Sequence, residues 1–305
     1  MKQIELEGYK SHKTEFGVYY LGDNVEMMKK FSDNYFDIAV VDPPYGIGED
    51  GAKNHSRGAK TGFKGQKTQS LAPAKQYTSK DWDKTIPPLE YFQELKRVSK
   101  YQIIWGGNYY LSLCEEESEP SQYIFGDPVY DTIPVLGATS CWIVWDKQNE
   151  GNDFADCELA WTNFKCAVRK YSYKWNGMLQ KDMKNKEVRL HPTQKPIDLY
   201  RFIAEKFIIK EGKKSVKPHE GQTLIKRVLD TNVGSASSII GYITEAIYYK
   251  ANFNISIEYV GMEIDEEYFG LSCQRIDNEK YGKGSVLRND STKELDKHGH
   301  QAGLF

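Results

Sequence analysis

Apolar, β-branched runs that stop on an acid recur along the chain and alternate with segments of helical spacing. "FGVYYLGD" (16 to 23) ends in Asp23, "FDIAVVD" (36 to 42) in Asp42 and "LIKRVLD" (224 to 230) in Asp230, while "IEYVGMEID" (257 to 265) carries Glu263 near its end. "NVEMMKKF" has helical spacing with Asn24 as its cap, and "PPLEYFQELKRVS" starts a second helix at Pro87 and Pro88. "IDLYRFIAEKFIIK" (197 to 210) puts Tyr200, Ile203, Ala204, Phe207 and Ile208 on one face. A further helix carries Ile239, Ile240, Ile243 and Ile247, and a last one runs to about Asn278. With "YQIIWGG" (101 to 107) and "CWIVWD" (141 to 146) as added strands, the alternation predicts an α/β fold: an open, mainly parallel, Rossmann-like sheet with helices on both faces. Ligands of such sheets bind at the carboxyl ends of the strands, so Asp23, Asp42, Asp230 and Glu263 are expected to line one crevice. Asp at such a turn also serves simply as a helix cap.

The 305 residues suffice for one large domain with insertions or two small ones, and 39% hydrophobic content is that of a folded protein. A net charge of -2 excludes a uniformly basic surface, but the charge is unevenly spread. Residues 51 to 80 hold seven basic side chains (Lys53, Arg57, Lys60, Lys64, Lys67, Lys75, Lys80) and no acid. From 46 to 86 the chain lacks periodicity and reads as a mobile loop. Residues 165 to 189 set eight basic residues against Asp182 and Glu187, interleaved with Tyr171, Tyr173 and Trp175. Five scattered cysteines without a C-x-x-C pair signal neither a disulfide framework nor a zinc site. With no signal-peptide core and no apolar run of membrane-spanning length, a cytosolic chain without a membrane partner is expected.

"GIGEDG" (46 to 51) matches G-x-G-x-x-G, but no amphipathic helix follows, and Glu49 and Asp50 would repel a pyrophosphate. "VLDTNVGSASSII" (228 to 240) is better placed: a strand ends in Asp230, Gly234 makes the turn, and small Ser235, Ala236 and Ser237 open a helix. Small residues there admit a ligand to the backbone, and an acid ending the next strand, Glu263, suits the hydroxyls of a ribose. In "DPPY" (42 to 45), Pro43 and Pro44 fix the directions of the Asp42 side chain and the Pro43 carbonyl. Two fixed acceptors can take both hydrogens of one amino group, drawing them out of plane and freeing a lone pair otherwise delocalised into a base. Tyr45 offers a face on which that base stacks.

On these motifs the chain resembles the class β S-adenosylmethionine-dependent DNA amino-methyltransferases. "LGDNVEMM", "DIAVVDPPYGIG", "IIWGGNYY", "WIVWDK", "ELAWTNF", "HPTQKP", "VLDTNVGSAS" and "VGMEIDEEYF" stand in the permuted order of that class and cover most of the chain. The resemblance implies that Asp42, Pro43, Pro44 and Tyr45 hold the target amine and base. It implies that Glu263 holds the cofactor ribose and Asp23 its adenine, and that the turn Asp230, Asn232, Gly234, Ser235, Ala236, Ser237, with Thr193, Gln194 and Lys195, surrounds its methionine end. The usual turn is richer in glycine, D-P-F-x-G-S-G-T; Thr231, Asn232 and Ala236 depart from it. A methyl group at Ala236 costs little at negative φ and counts against cofactor affinity at positive φ. No metal is expected at His191.

The resemblance implies transfer of a methyl group to N6 of adenine in double-stranded DNA, since Asp rather than Ser leads the tetrapeptide. Cytosine N4, RNA, and a chain that binds cofactor and DNA without turnover are the alternatives. Flipping the base costs a few kcal/mol, and stacking on Tyr45, worth roughly 1 to 3 kcal/mol, offsets much of it. Lys53, Arg57, Lys60, Lys64 and Lys67, with Arg169, Lys170, Tyr171, Lys174 and Trp175, are the expected DNA contacts. Residues 1–145 are thus expected to form the catalytic half of the domain, 146–190 the target-recognition segment, 191–282 the cofactor half, and 283–305 a tail. In that tail Gln301, Leu304 and Phe305 resemble the Q-x-x-L-F peptide by which bacterial replication proteins bind the sliding clamp.

Overall fold

The computed structural model describes residues 5–48, 80, 82–116, 122–124, 127–129, 132–149, 155–176, 179–209 and 222–279. In chain order, β1 (Lys10–Thr14) and β2 (Gly17–Leu21) form a hairpin. Then come α1 (Asn24–Met28), β3 (Phe36–Val41), α2 (Leu89–Val98) and β4 (Ser99–Trp105). Four short strands follow, β5 (Cys114–Glu116), β6 (Gln122–Ile124), β7 (Asp127–Val129) and β8 (Thr132–Pro134), pairing as β5 with β8 and β6 with β7. Next are β9 (Ile143–Asp146), β10 (Cys157–Thr162), β11 (Arg169–Ser172), β12 (Trp175–Asn176) and β13 (Leu179–Gln180). The remainder is α3 (Ile197–Ile203), β14 (Leu224–Asp230), α4 (Ser237–Phe253), β15 (Ile255–Glu263) and α5 (Glu266–Asn278).

Among the described residues nine strands form one sheet, in the order β1-β2-β15-β14-β3-β4-β10-β9-β11. Its centre, β2-β15-β14-β3-β4, is parallel throughout; β10 is antiparallel to both β4 and β9, and β11 runs parallel to β9 at the edge. The mainly parallel α/β sheet expected from the alternation is therefore the observed one.

The two-residue period of the strands divides the core by face. Tyr19, Ile38, Val40, Ile103, Trp105, Val228 and Ile257 point to one side, where α3, α4 and α5 cover them with Leu199, Ile203, Ile239, Ile243 and Phe269. Val18, Tyr20, Ala39, Val41, Ile104 and Leu229 point to the other, under Met27 and Met28 of α1 and Tyr91, Phe92 and Leu95 of α2. Both faces of the central strands are dry, as near-continuous apolar runs require.

Three details differ from the sequence reading. The helix expected at 197 to 210 is α-helical only to Ile203 and continues as a π-helix over Ala204–Ile209. The strands β1, β5 to β8 and β10 to β13 were not foreseen: charged residues break the alternation of β1, β10 and β11, the others are two or three residues long, and tertiary pairing supplies what local pattern lacks. The stretch expected to be a mobile loop from 46 is tied where it is described: Gly48 donates its amide to the Asp83 carbonyl at 2.9 Å.

Candidate active site

Asp42 follows β3 directly, Asp230 and Glu263 are the last residues of β14 and β15, and Asp23 lies just past β2. These four strands are neighbours and parallel, so the four acids gather at one end of the sheet, as the strand-end rule predicts. Asp23 also serves as the N-cap of α1, accepting from the Glu26 amide at 2.9 Å, so the cap is Asp23 and not the expected Asn24, which is the first residue of the helix.

The Asp42-Pro43-Pro44-Tyr45 turn is fixed from several sides. The Tyr45 hydroxyl donates to Asp42 Oδ1 at 2.6 Å. The Tyr110 hydroxyl lies 2.9 Å from both the Pro43 and the Pro44 carbonyl oxygens. Buried Asp83 receives the amides of Tyr45 at 2.7 Å and Gly46 at 3.0 Å on a single carboxylate oxygen. Gly106, at the end of β4, has φ +67°, and a Cβ there would stand 2.2 Å from Tyr45 Cε1, so only glycine lets the ring lie against that backbone. On its outer side the Tyr45 ring is stacked by exposed Tyr109, with centroids 4.9 Å apart and planes 16° from parallel.

Lys195, expected beside the methionine end of a cofactor, instead has its ammonium on the tetrapeptide. The buried Nζ donates to Asp42 Oδ2 at 2.5 Å, lies 3.3 Å from the Tyr45 hydroxyl and sits over the Trp105 ring. Its second carboxylate is Glu158 of β10, at 3.1 Å, and Glu158 also pairs with Lys147. Four charges thus alternate in sign through a half-buried row, Asp42, Lys195, Glu158 and Lys147, of which Lys195 alone is fully buried. Burial pushes the Asp42 carboxyl up, against the pull of Lys195. Burial acts the same way on Glu158, but Lys195 and Lys147 outweigh it and hold that carboxyl at about 2. Desolvation lowers the Lys195 ammonium, yet Asp42 and Glu158 together raise it, so it stays protonated.

The turn after β14 forms the other wall. Glu263 Oε2 accepts the Gly234 amide at 2.8 Å, and Oε1 accepts those of Ile264 and Asp265 at 3.0 Å. Asp230 accepts from the Asn232 amide at 3.0 Å; burial pushes its carboxyl up to about 7, against the Ser238 hydroxyl and that amide. Asn232 and Thr231 are joined through the Tyr91 hydroxyl. Ser235 is buried, its hydroxyl 3.2 Å from that of Ser237, and Arg275 braces both, donating to the Ser235 carbonyl and the Ser237 hydroxyl. Ala236 is fully buried with φ +63°, a left-handed conformation that costs an L-residue about 1 to 2 kcal/mol.

The "HPTQKP" segment links the two walls. The Gln194 side chain closes its own loop, accepting from the Leu190 amide and donating to the Val188 carbonyl, while exposed Thr193 hydrogen-bonds His191. The His191 ring lies between Trp82 and Tyr268, facing Gly234. Burial, with Lys195 nearby, drops its pKa to about 3, so it is neutral.

The expected DNA contacts divide. Arg169, Lys170 and Lys174 are exposed on and beside the edge strand β11. Trp175 is 6% exposed, its indole donating to the Gln194 carbonyl at 2.9 Å, and Tyr171 stacks on Phe202 and donates to Asp198. Both rings belong to the packing, which removes them as aromatic platforms. Lys80, at the end of the basic loop, is paired with Asp265 and Glu267. Lys53, Arg57, Lys60, Lys64 and Lys67, and the tail residues Gln301, Leu304 and Phe305, lie outside the described residues. Among those described, no group of three or more His, Cys, Asp or Glu could hold a metal ion, and no helix is long and apolar enough to cross a membrane.

Sequence reasoning missed Asp83, Gly106, Tyr109, Tyr110, Lys147 and Glu158. Glu158 left the clearest signal, an acid within the otherwise apolar "ELAW" run.

No protein-family model and no curated protein matches the chain. Among solved structures it is similar to the complex of M1.HpyAVI with SAM, at 16% identity over 84% of this chain and 98% of that one, with a TM-score of 0.37. It is similar to PvuII DNA methyltransferase, described as cytosine-N4-specific, at 12% identity over 90% and 92% of the two chains, with a TM-score of 0.44. A candidate DNA modification methylase of Thermus thermophilus is 12% identical over 87% and 96%, with a TM-score of 0.40.

Proposed function

We propose that the chain is an S-adenosylmethionine-dependent DNA methyltransferase acting on the exocyclic amine of a flipped base, adenine N6 in the first instance. The observation that carries this reading is Asp42-Pro43-Pro44-Tyr45 held rigidly at the carboxyl end of β3, in one crevice with the turn that follows β14.

The donor set of the crevice fits the cofactor. Asp23, Asp230 and Glu263 make it acidic, which favours a sulfonium with an α-ammonium and disfavours the phosphates of a dinucleotide. Glu263 is the residue for the ribose hydroxyls, Asp23 for the adenine, and Asp230, Asn232, Gly234, Ser235, Ala236 and Ser237 surround the methionine end. Bound there, the cofactor supplies a methyl group that passes to an amine nitrogen as its carbon–sulfur bond breaks, with those electrons going to sulfur and a proton leaving the nitrogen.

Asp42 and the Pro43 carbonyl accept the two amine hydrogens and direct the lone pair. Tyr45 supplies the stacking face once Tyr109, which stacks on the outer side of its ring, gives way to the base, and Asp42, its carboxyl raised by burial, receives the departing proton. Residues 1–145 and 191–282 make up this catalytic domain. Arg169, Lys170 and Lys174 in the segment 146–190 contact phosphates, as do the lysines of the loop before Lys80.

The test is incubation with labelled S-adenosylmethionine and unmethylated genomic DNA, followed by digestion to nucleosides and mass spectrometry. Labelled N6-methyladenine is the expected result. N4-methylcytosine keeps the chemistry and changes the base, whereas cofactor binding without label overturns the reading.

A further inference from the structure

The half-buried row Asp42, Lys195, Glu158, Lys147 gives the buried Lys195 ammonium two carboxylates, where a purely structural ion pair needs one. In the resting site both Asp42 oxygens are taken, Oδ1 by the Tyr45 hydroxyl and Oδ2 by Lys195. The one hydroxyl hydrogen of Tyr110 is shared between two carbonyls, so the Pro43 oxygen keeps capacity for another donor. Asp42 also has lone pairs left, but its charge is spent on the Tyr45 hydroxyl and the Lys195 ammonium, so it accepts strongly from an amine only when Lys195 gives up Oδ2. A buried ammonium released from its only counter-ion would be strongly disfavoured.

Glu158 removes that obstacle. Its Oε2 lies 3.1 Å from Lys195 Nζ as an ion pair without a well-aligned hydrogen bond, and among the described residues no other group donates to it. A buried carboxylate oxygen with an unused lone pair needs a reason, and here it points at the ammonium that must move. Lys147 fixes the far oxygen of Glu158, so the acid stays in place as Lys195 shifts.

We propose that Glu158 is a positioning residue, the second berth of Lys195: when a target amine enters, the ammonium turns from Asp42 Oδ2 to Glu158 Oε2, and Asp42 becomes a free acceptor. The proposal rests on the methyl-transfer reading of Asp42. The shift is short, since Nζ already lies within ion-pair distance of both acids. It also explains why Lys195 is held between rings: Trp105 and Tyr45 flank the ammonium at 5.3 and 5.7 Å and keep it from leaving the row.

The experiment compares the full chain, Glu158→Gln, and the double variant Glu158→Gln with Lys195→Met, on genomic DNA with labelled cofactor. Cofactor affinity is measured by calorimetry and folding by circular dichroism. With the second berth neutralised, Lys195 stays on Asp42, and Glu158→Gln should lose about tenfold or more in kcat, equivalent to raising the barrier by at least ~1.4 kcal/mol. Its cofactor affinity should remain within about twofold of wild type. Removing the ammonium should then return part of that loss, so that the double variant is faster than Glu158→Gln; a merely structural Glu158 gives no such rescue. A Glu158→Gln rate equal to wild type, or a double variant no faster than the single, overturns the proposal while leaving the methyl-transfer reading intact. A wild-type chain that binds cofactor and methylates nothing overturns both.

Discussion

The carboxylate of Asp83 receives the amide of Tyr45 at 2.7 Å across 38 residues of chain. The contact orients the aromatic residue of the tetrapeptide from beneath, and the same oxygen takes the Gly46 amide. Asp83→Ala should leave both amides without an acceptor, costing about 2 kcal/mol of stability in urea unfolding. Asp83→Asn keeps a carbonyl oxygen there and should recover most of the loss. Methylation by the Ala variant should fall further than its cofactor affinity, because the proposed cofactor wall belongs to β14 and β15.

Gly106→Ala should be more damaging than its size implies. The residue has φ +67°, and the new methyl would overlap the Tyr45 ring at 2.2 Å. Tyr45 must then move off the β4 backbone and away from Asp42. Loss of methylation by at least tenfold, about 1.4 kcal/mol in the barrier, is expected with cofactor affinity retained in calorimetry.

Ala236→Gly should stabilise the chain. At φ +63° the methyl group opposes the left-handed turn, and glycine accepts that conformation freely. A gain of about 1 kcal/mol in denaturant unfolding is the expected outcome, with cofactor binding equal to or tighter than wild type.

Asp230 gives a pH dependence of defined sign. Its carboxyl titrates at about 7 when folded, because burial disfavours the charge, and at about 3.9 when unfolded. Between those values the folded chain binds more protons, so this contribution to stability is complete below about pH 4 and is lost as pH rises through 7. Glu187, also buried and also at about 7, acts in the same direction. Urea titrations between these limits should show the decline, and Asp230→Asn should reduce its slope without abolishing it.

Asp42 and Glu263 should separate chemistry from binding. On the proposed function Asp42→Ala removes the first acceptor of the amine and should abolish methylation while cofactor still binds. Glu263→Gln keeps oxygen for the backbone amides of Gly234, Ile264 and Asp265 on one side only. It should weaken cofactor binding about tenfold in calorimetry, equivalent to ~1.4 kcal/mol, with the fold intact by circular dichroism.

The parts of this molecule legible in the sequence are those written in local periodicity. β3, β14 and β15 are short runs ending in an acid, and their common direction follows from the helices between them, so the sequence alone brings Asp42, Asp230 and Glu263 to one crevice. The partners of those acids were not legible in the same way. Glu158 reaches Lys195 because β10 pairs with β4 in antiparallel register, a choice made by tertiary packing. Asp83 reaches Tyr45 by a loop contact that no periodicity encodes. Tyr171 and Trp175 show the converse error: an aromatic residue among lysines looks the same in sequence whether it faces solvent or, as here, closes the core beneath α3.

The strand order bears on how the molecule is made. β3 lies in the middle of the sheet between β4 and β14, yet β14 begins only at Leu224 and its other neighbour, β15, ends at Glu263. A nascent chain emerging from the ribosome therefore carries an unpaired apolar edge on β3 through most of its synthesis, the kind of exposed edge that slows folding and recruits chaperones. It also carries Asp42 and Tyr45 long before their opposite wall exists. An interrupted translation product is thus left with half a crevice, and whatever chemistry Asp42 performs is withheld until the final strand of the sheet has been delivered.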